Sequence, residues 1–195
     1  EKITNKTKAI MAVHLYGNPC DLEELRRICD KNNLFLIEDS AEAFGSKYKG
    51  NYCGSYGDIS AFSFFGNKTI TTGEGGMVVT SNSELYEKAK LLKSQSVSPS
   101  REYWHDEIGF NYRMTNIQAA IGLAQLEQAN DILLRKKDLA KKYIVSLEGL
   151  PITFQKQQEF GENSYWMVSA VVESKLIRDN LRLYLGENGI ETRPF

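Results

Sequence analysis

Three residues with different reactive groups follow two predicted buried strands of this sequence. Asp39 ends the apolar run LFLIED (34–39), Ser63 lies near the end of DISAFSF (58–64), and Lys68 follows five residues later. In open α/β sheets, ligands bind beyond the carboxyl ends of the strands. We therefore expect a carboxylate, a hydroxyl and an amine to meet at one edge of a sheet.

This set of groups matches the chemistry of a carbonyl-reactive lysine beside a phosphate-bearing ring. An amine in an apolar setting loses its charge readily, because burial disfavours the ammonium form, and it can then form a Schiff base with a carbonyl. A carboxylate opposite a pyridinium nitrogen keeps that ring protonated and electron-withdrawing. A hydroxyl can help to hold a phosphate. Asp39, Ser63 and Lys68 together predict a site for pyridoxal phosphate (PLP).

The glycine-rich segment around Lys68 does not have the pattern of a nucleotide-binding loop. In FSFFGNKTITTGEGG (62–76) the lysine precedes the glycines, whereas a Walker loop places its lysine after them. No third glycine opens a helix, as a Rossmann fingerprint requires. Glycine permits positive φ and close backbone approach, so these glycines are predicted to shape the turn into a strand at 76–80.

Apolar runs and helical patterns alternate along the rest of the chain. Strands are predicted at 9–17, 34–39, 58–64, 76–80 and 165–172, and helices after Asp21, at 82–93, after Thr115, at about 131–148 and at 175–189. Continuous apolar strands separated by helices are typical of a largely parallel sheet that is covered on both faces. The predicted fold class is therefore α/β.

Polar residues mark where three of these helices begin. Asp21 with Glu24, and Thr115 with Gln118, match the capping box, in which two residues satisfy each other's backbone N–H groups. Ser81 is the predicted N-cap of the second helix. The helix after Thr115 carries residues at the spacing of an apolar stripe, namely Ile117, Ala120, Ile121 and Ala124.

The composition is that of an ordinary globular protein. Hydrophobic residues make up 42% and charged residues 25% of the 195 positions, and the formal net charge is −1. We therefore expect neither a nucleic-acid surface nor a membrane span, and a cytoplasmic location. The three cysteines have no CxxC spacing, so neither a zinc site nor a disulfide framework is predicted, and no metal is expected.

The segment EGLPITFQKQQEFGENS (148–164) is the predicted domain boundary. We expect residues 1–130 to form a PLP-binding large domain and residues 131–148 a connecting helix. Residues 149–195 are then the beginning of a small C-terminal domain.

Three motifs resemble the DegT/DnrJ/EryC1/StrS family of sugar aminotransferases. They are EDSAEAFGS (38–46), FSFFGNKTITTGEGG (62–76) and GFNYRMTNIQAAIG (109–122). The resemblance implies a fold-type I PLP enzyme, in which a three-layer sandwich with a mostly parallel sheet precedes a small α+β domain. It also implies that this sequence begins inside the large domain and stops early in the small one.

Within that family, AEAFGSKYKG, FFGNKTITTGEGG and GIETRPF (189–195) resemble the perosamine synthase subgroup. That resemblance implies transfer of an amino group from glutamate to a nucleotide-linked 4-keto-6-deoxy sugar, with GDP-4-keto-6-deoxymannose as the expected substrate. It further implies a homodimer whose sites are shared between subunits.

The family pattern also implies a role for individual residues. Lys68 is expected to form the Schiff base with PLP and to move a proton during transfer, and Asp39 to pair with the pyridine nitrogen. Ser63 is expected to bind the cofactor phosphate, and Asn111 to reach the phosphate in the neighbouring subunit's site. Glu42 occupies a position near the ring oxygen that is commonly Gln or His in the wider family.

Other interpretations of these residues and of the whole chain stay open at this point. Glu42 can equally cap a helix, and the segment containing His14 and Tyr16 can either contact a ligand or form a structural turn. Two alternative functions also remain. One is a PLP enzyme of another reaction type, and the other is a non-catalytic protein that binds PLP or a nucleotide sugar.

Overall fold

The computed structural model describes residues 2–195 as nine strands, five α-helices and one short 3-10 turn. In chain order these elements are β1 (Ala9–Val13), the 3-10 turn (Leu15–Gly17), α1 (Leu22–Asn32), β2 (Phe35–Asp39), β3 (Lys47–Tyr48), β4 (Asn51–Tyr52), β5 (Ile59–Ser63), β6 (Gly76–Val79), α2 (Ser83–Leu92), α3 (Asn116–Glu127), α4 (Ala129–Ser146), β7 (Ile152–Phe154), β8 (Gly161–Glu162), β9 (Ala170–Val172) and α5 (Lys175–Glu187).

Asp39 and Ser63 lie on a four-stranded sheet with the order β1-β2-β5-β6. The first three strands are parallel, and β6 runs antiparallel to β5, so the predicted α/β fold with a mostly parallel sheet is confirmed. Val13 is level with Asp39, and Asp39 is level with Ala61. Because parallel strands end on the same side, this register brings three carboxyl ends to one edge.

One face of this sheet packs on α1 and holds the main hydrophobic core. Its buried members are Ala12, Leu22, Cys29, Leu34, Leu36, Ala43, Tyr48 and Cys53. Side chains that alternate to the opposite face are exposed, as in Met11 (60%) and Phe35 (58%). The continuous apolar runs predict that both faces of the sheet are covered. Successive side chains of a strand point to opposite faces, so Met11 and Phe35 point away from α1 and are exposed.

The predicted boundary segment at 148–164 is structured. Its first strand, β7, pairs with β9, whereas β8 pairs with β3 beside the large sheet. Ser46 holds this segment against the large sheet. Its hydroxyl donates to the Gly17 carbonyl (2.6 Å) and lies 2.8 Å from the Ser164 hydroxyl. The strand predicted at 165–172 is shorter than expected and is confined to β9.

Of the three predicted helix N-termini, one has the predicted capping box and the other two differ from the prediction. Thr115 and Gln118 form the complete box. The Asp21 carboxylate accepts from the Glu24 N–H, but the Glu24 side chain pairs with Arg27 instead of closing the box. The second predicted cap was one residue early, since Asn82 rather than Ser81 caps α2 and accepts from two backbone N–H groups.

The apolar stripe predicted on α3 does not form a buried face. Ile117 is 76% exposed and Ile121 is 45% exposed, and no residue of α3 is buried. The helix is apolar on several sides, so its sequence does not direct a single face toward the core.

No helix between residues 2 and 195 is long and apolar enough to cross a bilayer. The same residues contain no cluster of three His, Cys, Asp or Glu side chains that could hold a metal ion.

A buried carboxylate, Glu38, joins the parts of the fold that surround the sheet edge. One of its oxygens accepts from Gly54 N–H (2.7 Å) and lies 3.0 Å from Nε2 of His14. The other accepts from the N–H groups of Tyr56 (2.8 Å) and Gly57 (2.6 Å). A single side chain therefore links the end of β1, the strand β2 and the loop that leads into β5.

His14 is the fully buried partner of Glu38, and it forms part of a structural turn. Burial lowers the pKa of His14, but hydrogen bonds with Cys20 and Glu38 outweigh this and raise it to about 9. The Cys20 N–H can donate only to an unprotonated Nδ1, which it approaches to 3.0 Å. In the tautomer that accepts from Cys20 N–H, Nε2 carries the ring proton and donates to Glu38.

Replacing Glu38 with Gln should destabilise the fold strongly. The amide nitrogen of Gln would face N–H donors, so we expect the free energy of unfolding to fall by about 3 kcal/mol at neutral pH. Urea unfolding measures this, with the exposed Glu173→Gln as a control that removes the same charge. Equal unfolding free energies for both variants would show that the Glu38 network contributes little.

The same comparison has a defined pH dependence. Burial raises the pKa of Glu38, but hydrogen bonds from His14 and three backbone N–H groups lower it below its ordinary value of 4.5. A carboxyl with a lowered pKa in the folded state stabilises fully above its ordinary value, and this contribution is lost as the pH falls further. The difference between the wild type and Glu38→Gln should therefore shrink below pH 4.5.

Candidate active site

Asp39 lies at the end of β2 with part of its carboxylate open. Its Oδ1 accepts from the Ala41 N–H (3.1 Å), and its main-chain carbonyl accepts from the His14 N–H (3.2 Å). Within residues 2–195 its Oδ2 accepts no hydrogen bond, and the residue is half-buried. The backbone thus fixes the position of the carboxylate while one oxygen stays free to bind a proton donor.

Ser63 ends β5, and the loop that carries Lys68 begins there. The Ser63 hydroxyl accepts from the Phe65 N–H (3.3 Å), so its own hydrogen remains free to donate. The loop then closes on itself, with Lys68 N–H donating to the Phe65 carbonyl (3.0 Å). Gly73 and Gly75 have φ of 80° and 126°, which confirms the predicted role of glycines in the turn into β6.

Lys68 rests on an aromatic side chain from a distant part of the chain. Its Nζ lies 4.1 Å from the ring centre of Trp166, a cation–π contact. The indole N–H of Trp166 donates to the Asn67 carbonyl (2.8 Å), which ties the ring to the loop of Lys68. Within residues 2–195, no carboxylate pairs with the Lys68 amine.

A second lysine supports Trp166 from α4. Lys136 donates from Nζ to the Trp166 carbonyl (3.3 Å). Burial lowers the pKa of Lys136. The position of Trp166 is therefore fixed at both its side chain and its backbone.

Tyr16 extends this platform and explains what Glu42 does in the fold. The Tyr16 ring stacks on Trp166, with centroids 6.0 Å apart and planes inclined by 11°, and Phe195 meets its edge at 5.4 Å. Tyr16 has a left-handed backbone (φ 53°), and its N–H donates to the Glu42 carboxylate (2.7 Å). The Glu42 carboxylate thus holds the strained turn at Tyr16. Glu42 itself lies in another turn and does not cap a helix.

The structure brings the candidate residues together only in part. Asp39 and Ser63 share the sheet edge, and Lys68 lies on the loop that follows Ser63, but no hydrogen bond of residues 2–195 joins the three. Asn111 is exposed and pairs with Ser94 in an isolated antiparallel bridge.

Sequence reasoning missed Trp166 and Glu38. Trp166 lies 99 residues after its partner Asn67, so no local pattern indicates the contact. The sequence does contain a signal for Glu38. It is an acidic residue inside an apolar strand, and such a residue must find hydrogen-bond partners when it is buried.

Comparison with known proteins identifies the fold around this edge. The family model described as "DegT/DnrJ/EryC1/StrS aminotransferase family" matches residues 1–195. The chain belongs to this family. It is 57% identical over 194 residues to the GDP-perosamine synthase of Escherichia coli O157:H7, covering 100% of this chain and 53% of that protein. It is 50% identical over 196 residues to the GDP-perosamine synthase of Vibrio cholerae, with the same coverage.

Solved structures of aminotransferases have the same fold. A putative sugar aminotransferase from Streptococcus pneumoniae, solved in its PLP form, superposes with a TM-score of 0.90 at 31% identity, covering 97% of this chain and 54% of that one. The fold-type I assignment is therefore confirmed. The chain spans about half the length of the curated relatives that it matches.

The residues of the sheet edge fit PLP chemically. Asp39 offers an open carboxylate oxygen, Ser63 a hydroxyl hydrogen, and Lys68 an amine that no carboxylate of residues 2–195 neutralises. These are an acceptor for a ring N–H, a donor for a phosphate and a nucleophile for an aldehyde.

The contact between Glu42 and Tyr16 leads to a stability prediction. Glu42→Ala leaves the Tyr16 N–H without its acceptor in a strained turn, so we expect it to cost about 2 kcal/mol. Glu42→Gln keeps an acceptor oxygen at the same position and should cost about half as much. Urea unfolding separates the two variants. Identical losses would mean that the contact does not hold the turn.

Proposed function

We propose that this protein is a PLP-dependent aminotransferase that moves an amino group from glutamate to a nucleotide-linked 4-keto-6-deoxy sugar. The proposed substrate is GDP-4-keto-6-deoxymannose and the product is GDP-perosamine. The observation that carries this proposal is the 57% identity, over the whole of this chain, to a protein named GDP-perosamine synthase. The open groups of Asp39, Ser63 and Lys68 support it.

Three residues would hold the cofactor. Lys68 would attach it covalently through Nζ, Asp39 Oδ2 would accept a hydrogen bond from its ring N–H and so keep the ring protonated, and Ser63 would donate its hydroxyl hydrogen to the phosphate. When bound, PLP withdraws electrons from the substrate carbon that gains or loses the amino group. Lys68 Nζ would then carry the proton that leaves or reaches this carbon.

The aromatic residues around Lys68 would position it and exclude water. Trp166 supports the amine from one side, and Tyr16 supports Trp166 in turn. Glu42 would act through the backbone of Tyr16 rather than by touching the cofactor.

We further propose that the enzyme is a cytoplasmic homodimer. Asn111 is exposed, which suits a residue that reaches the cofactor phosphate of the neighbouring subunit. We propose that residues 1–130 form the PLP-binding domain, residues 131–148 the connecting helix and residues 149–195 the beginning of the small domain. The pairing of β7 with β9 supports a separate small unit.

Borohydride labelling tests the role of Lys68. Reduction of the PLP-loaded protein should fix the cofactor to the peptide that contains Lys68, because borohydride reduces a carbon–nitrogen double bond to a stable amine. Lys68→Ala should lose the label and all turnover, whereas the control Lys49→Ala should keep both. Recovery of the label on Lys47 or Lys49 would reject the assignment.

A substrate comparison tests the reaction. The protein at its full natural length, given glutamate, should aminate GDP-4-keto-6-deoxymannose and should follow ping-pong kinetics. The corresponding UDP- and dTDP-linked keto sugars serve as controls and should react at least tenfold more slowly. Amination of those sugars alone would overturn the choice of nucleotide, and failure with every keto sugar would overturn the proposed function.

A further inference from the structure

The helix α3 turns a polar side toward the loop that carries Lys68. Of its twelve residues, three are half-buried and the others are exposed. The half-buried residues are Gln118, Gly122 and Gln125. They are spaced by four and three positions and therefore lie on one side of the helix. This side, and not the apolar stripe, is the one that α3 presents to the rest of the protein.

Both glutamines of this side bind the backbone of the glycine-rich segment that leads into β6. Gln125 Oε1 accepts from the Thr71 N–H (2.9 Å), and Gln118 Nε2 donates to the Glu74 carbonyl (3.2 Å). Gln118 Oε1 also accepts from the N–H of Thr115, so the side chain that closes the capping box ties the helix to this segment as well. Two amides of one helix thus hold two points of the same segment.

Gly122 allows α3 to approach this segment closely. A Cβ at position 122 would lie 2.8 Å from Cγ2 of Thr72. Thr72 is buried, and its hydroxyl donates to the Glu74 carbonyl (2.6 Å), so its side chain cannot turn away without losing that bond. Glycine weakens a helix interior relative to alanine. Its presence in the middle of α3 therefore has a packing reason.

Thr71 lies where the loop of Lys68 closes. The Thr71 hydroxyl donates to the Phe64 carbonyl (3.0 Å), and the N–H of Thr72 donates to the same carbonyl (2.9 Å). Lys68 therefore projects from a closed loop, residues 65–70, whose two ends meet at this carbonyl.

Gln125 can act on the Lys68 amine through this junction. Without Gln125 the Thr71 N–H loses its acceptor, and an unpaired N–H in a half-buried position favours a shift of the backbone. Bond formation between an amine and a carbonyl depends on their relative position, and a displacement of about 1 Å can cost roughly a hundredfold in rate. The position of Thr71 therefore matters for the reaction of Lys68.

We propose that Gln125 is a positioning residue for Lys68, which it holds in place through the backbone of Thr71. The inference rests on the proposed function, in which Lys68 attaches PLP. Gln125 does not belong to the cofactor-binding set. Its effect is on the place from which the amine reaches the aldehyde of the cofactor.

Two forms of the cofactor separate this role from general stability. PLP bonds to Lys68 through its aldehyde, whereas pyridoxamine phosphate has the same ring and phosphate but cannot form that bond. Gln125→Met removes the acceptor and keeps an unbranched side chain. In the cofactor-free protein at its full natural length, its Kd for PLP should therefore rise about tenfold, while its Kd for pyridoxamine phosphate should change less than about twofold. Isothermal titration calorimetry measures both constants.

Two further variants serve as controls. Gln125→Glu keeps an oxygen that can accept from the Thr71 N–H, so its Kd for PLP should stay within about twofold of the wild type. Gln128→Met makes the same substitution as the test variant at an exposed residue directly after α3, and it should leave both constants unchanged.

Gly122→Ala tests the same contact independently. Alanine favours a helix, so α3 itself is not weakened, but the added methyl group must displace Thr72. The loss should again be selective for PLP, and this variant decides the test if Gln125→Met does not fold. Equal weakening of both cofactor forms, or no change in either, would reject the positioning role.

The outcome is separable from that of the proposed function. If borohydride fixes PLP to Lys68 in the wild type, but the variants keep the wild-type ratio of the two Kd values, only the role of Gln125 is rejected. If the label appears on another lysine, the assignment of Lys68 fails and the positioning role fails with it.

Discussion

The buried carboxylate of Glu38 is the interaction on which the candidate site depends. Glu38 and Asp39 are neighbours in one strand, and successive side chains of a strand point to opposite faces. Glu38 is therefore directed into the protein, where His14 and three backbone N–H groups hold it. Asp39 is directed away and keeps one oxygen open. Fixing the first residue so tightly also fixes the backbone that aims the second.

Local chemistry made much of the fold predictable. Alternating apolar runs and helical patterns predicted the strands of the large sheet and the start of α3, because hydrophobic period and end-capping act within a few residues. The predictions failed where two nearby residues could do the same work. Asn82 competes with Ser81 as a cap, and Glu24 has Arg27 as an alternative partner to the backbone.

The site was less predictable because its contacts join distant segments. Asp39 and Ser63 follow strands, so the topology rule for α/β sheets indicates them. Trp166, in contrast, reaches Lys68 only because β8 and Ser164 return the chain to the large sheet. No spacing within the sequence encodes that return. The family resemblance indicated the reactive lysine, but the platform beneath it was visible only in three dimensions.

The same return of the chain sets the order in which the protein can be assembled. The hydrogen bond between Trp166 and Asn67 spans 99 residues. Ribosomes add roughly 5–20 residues per second, so the loop of Lys68 emerges about 5–20 s before the indole that supports it. The parallel strands can pair during this interval, but the surroundings of the lysine are completed only after the later segment has been synthesised. The reactive amine thus acquires its aromatic support at a late stage of folding.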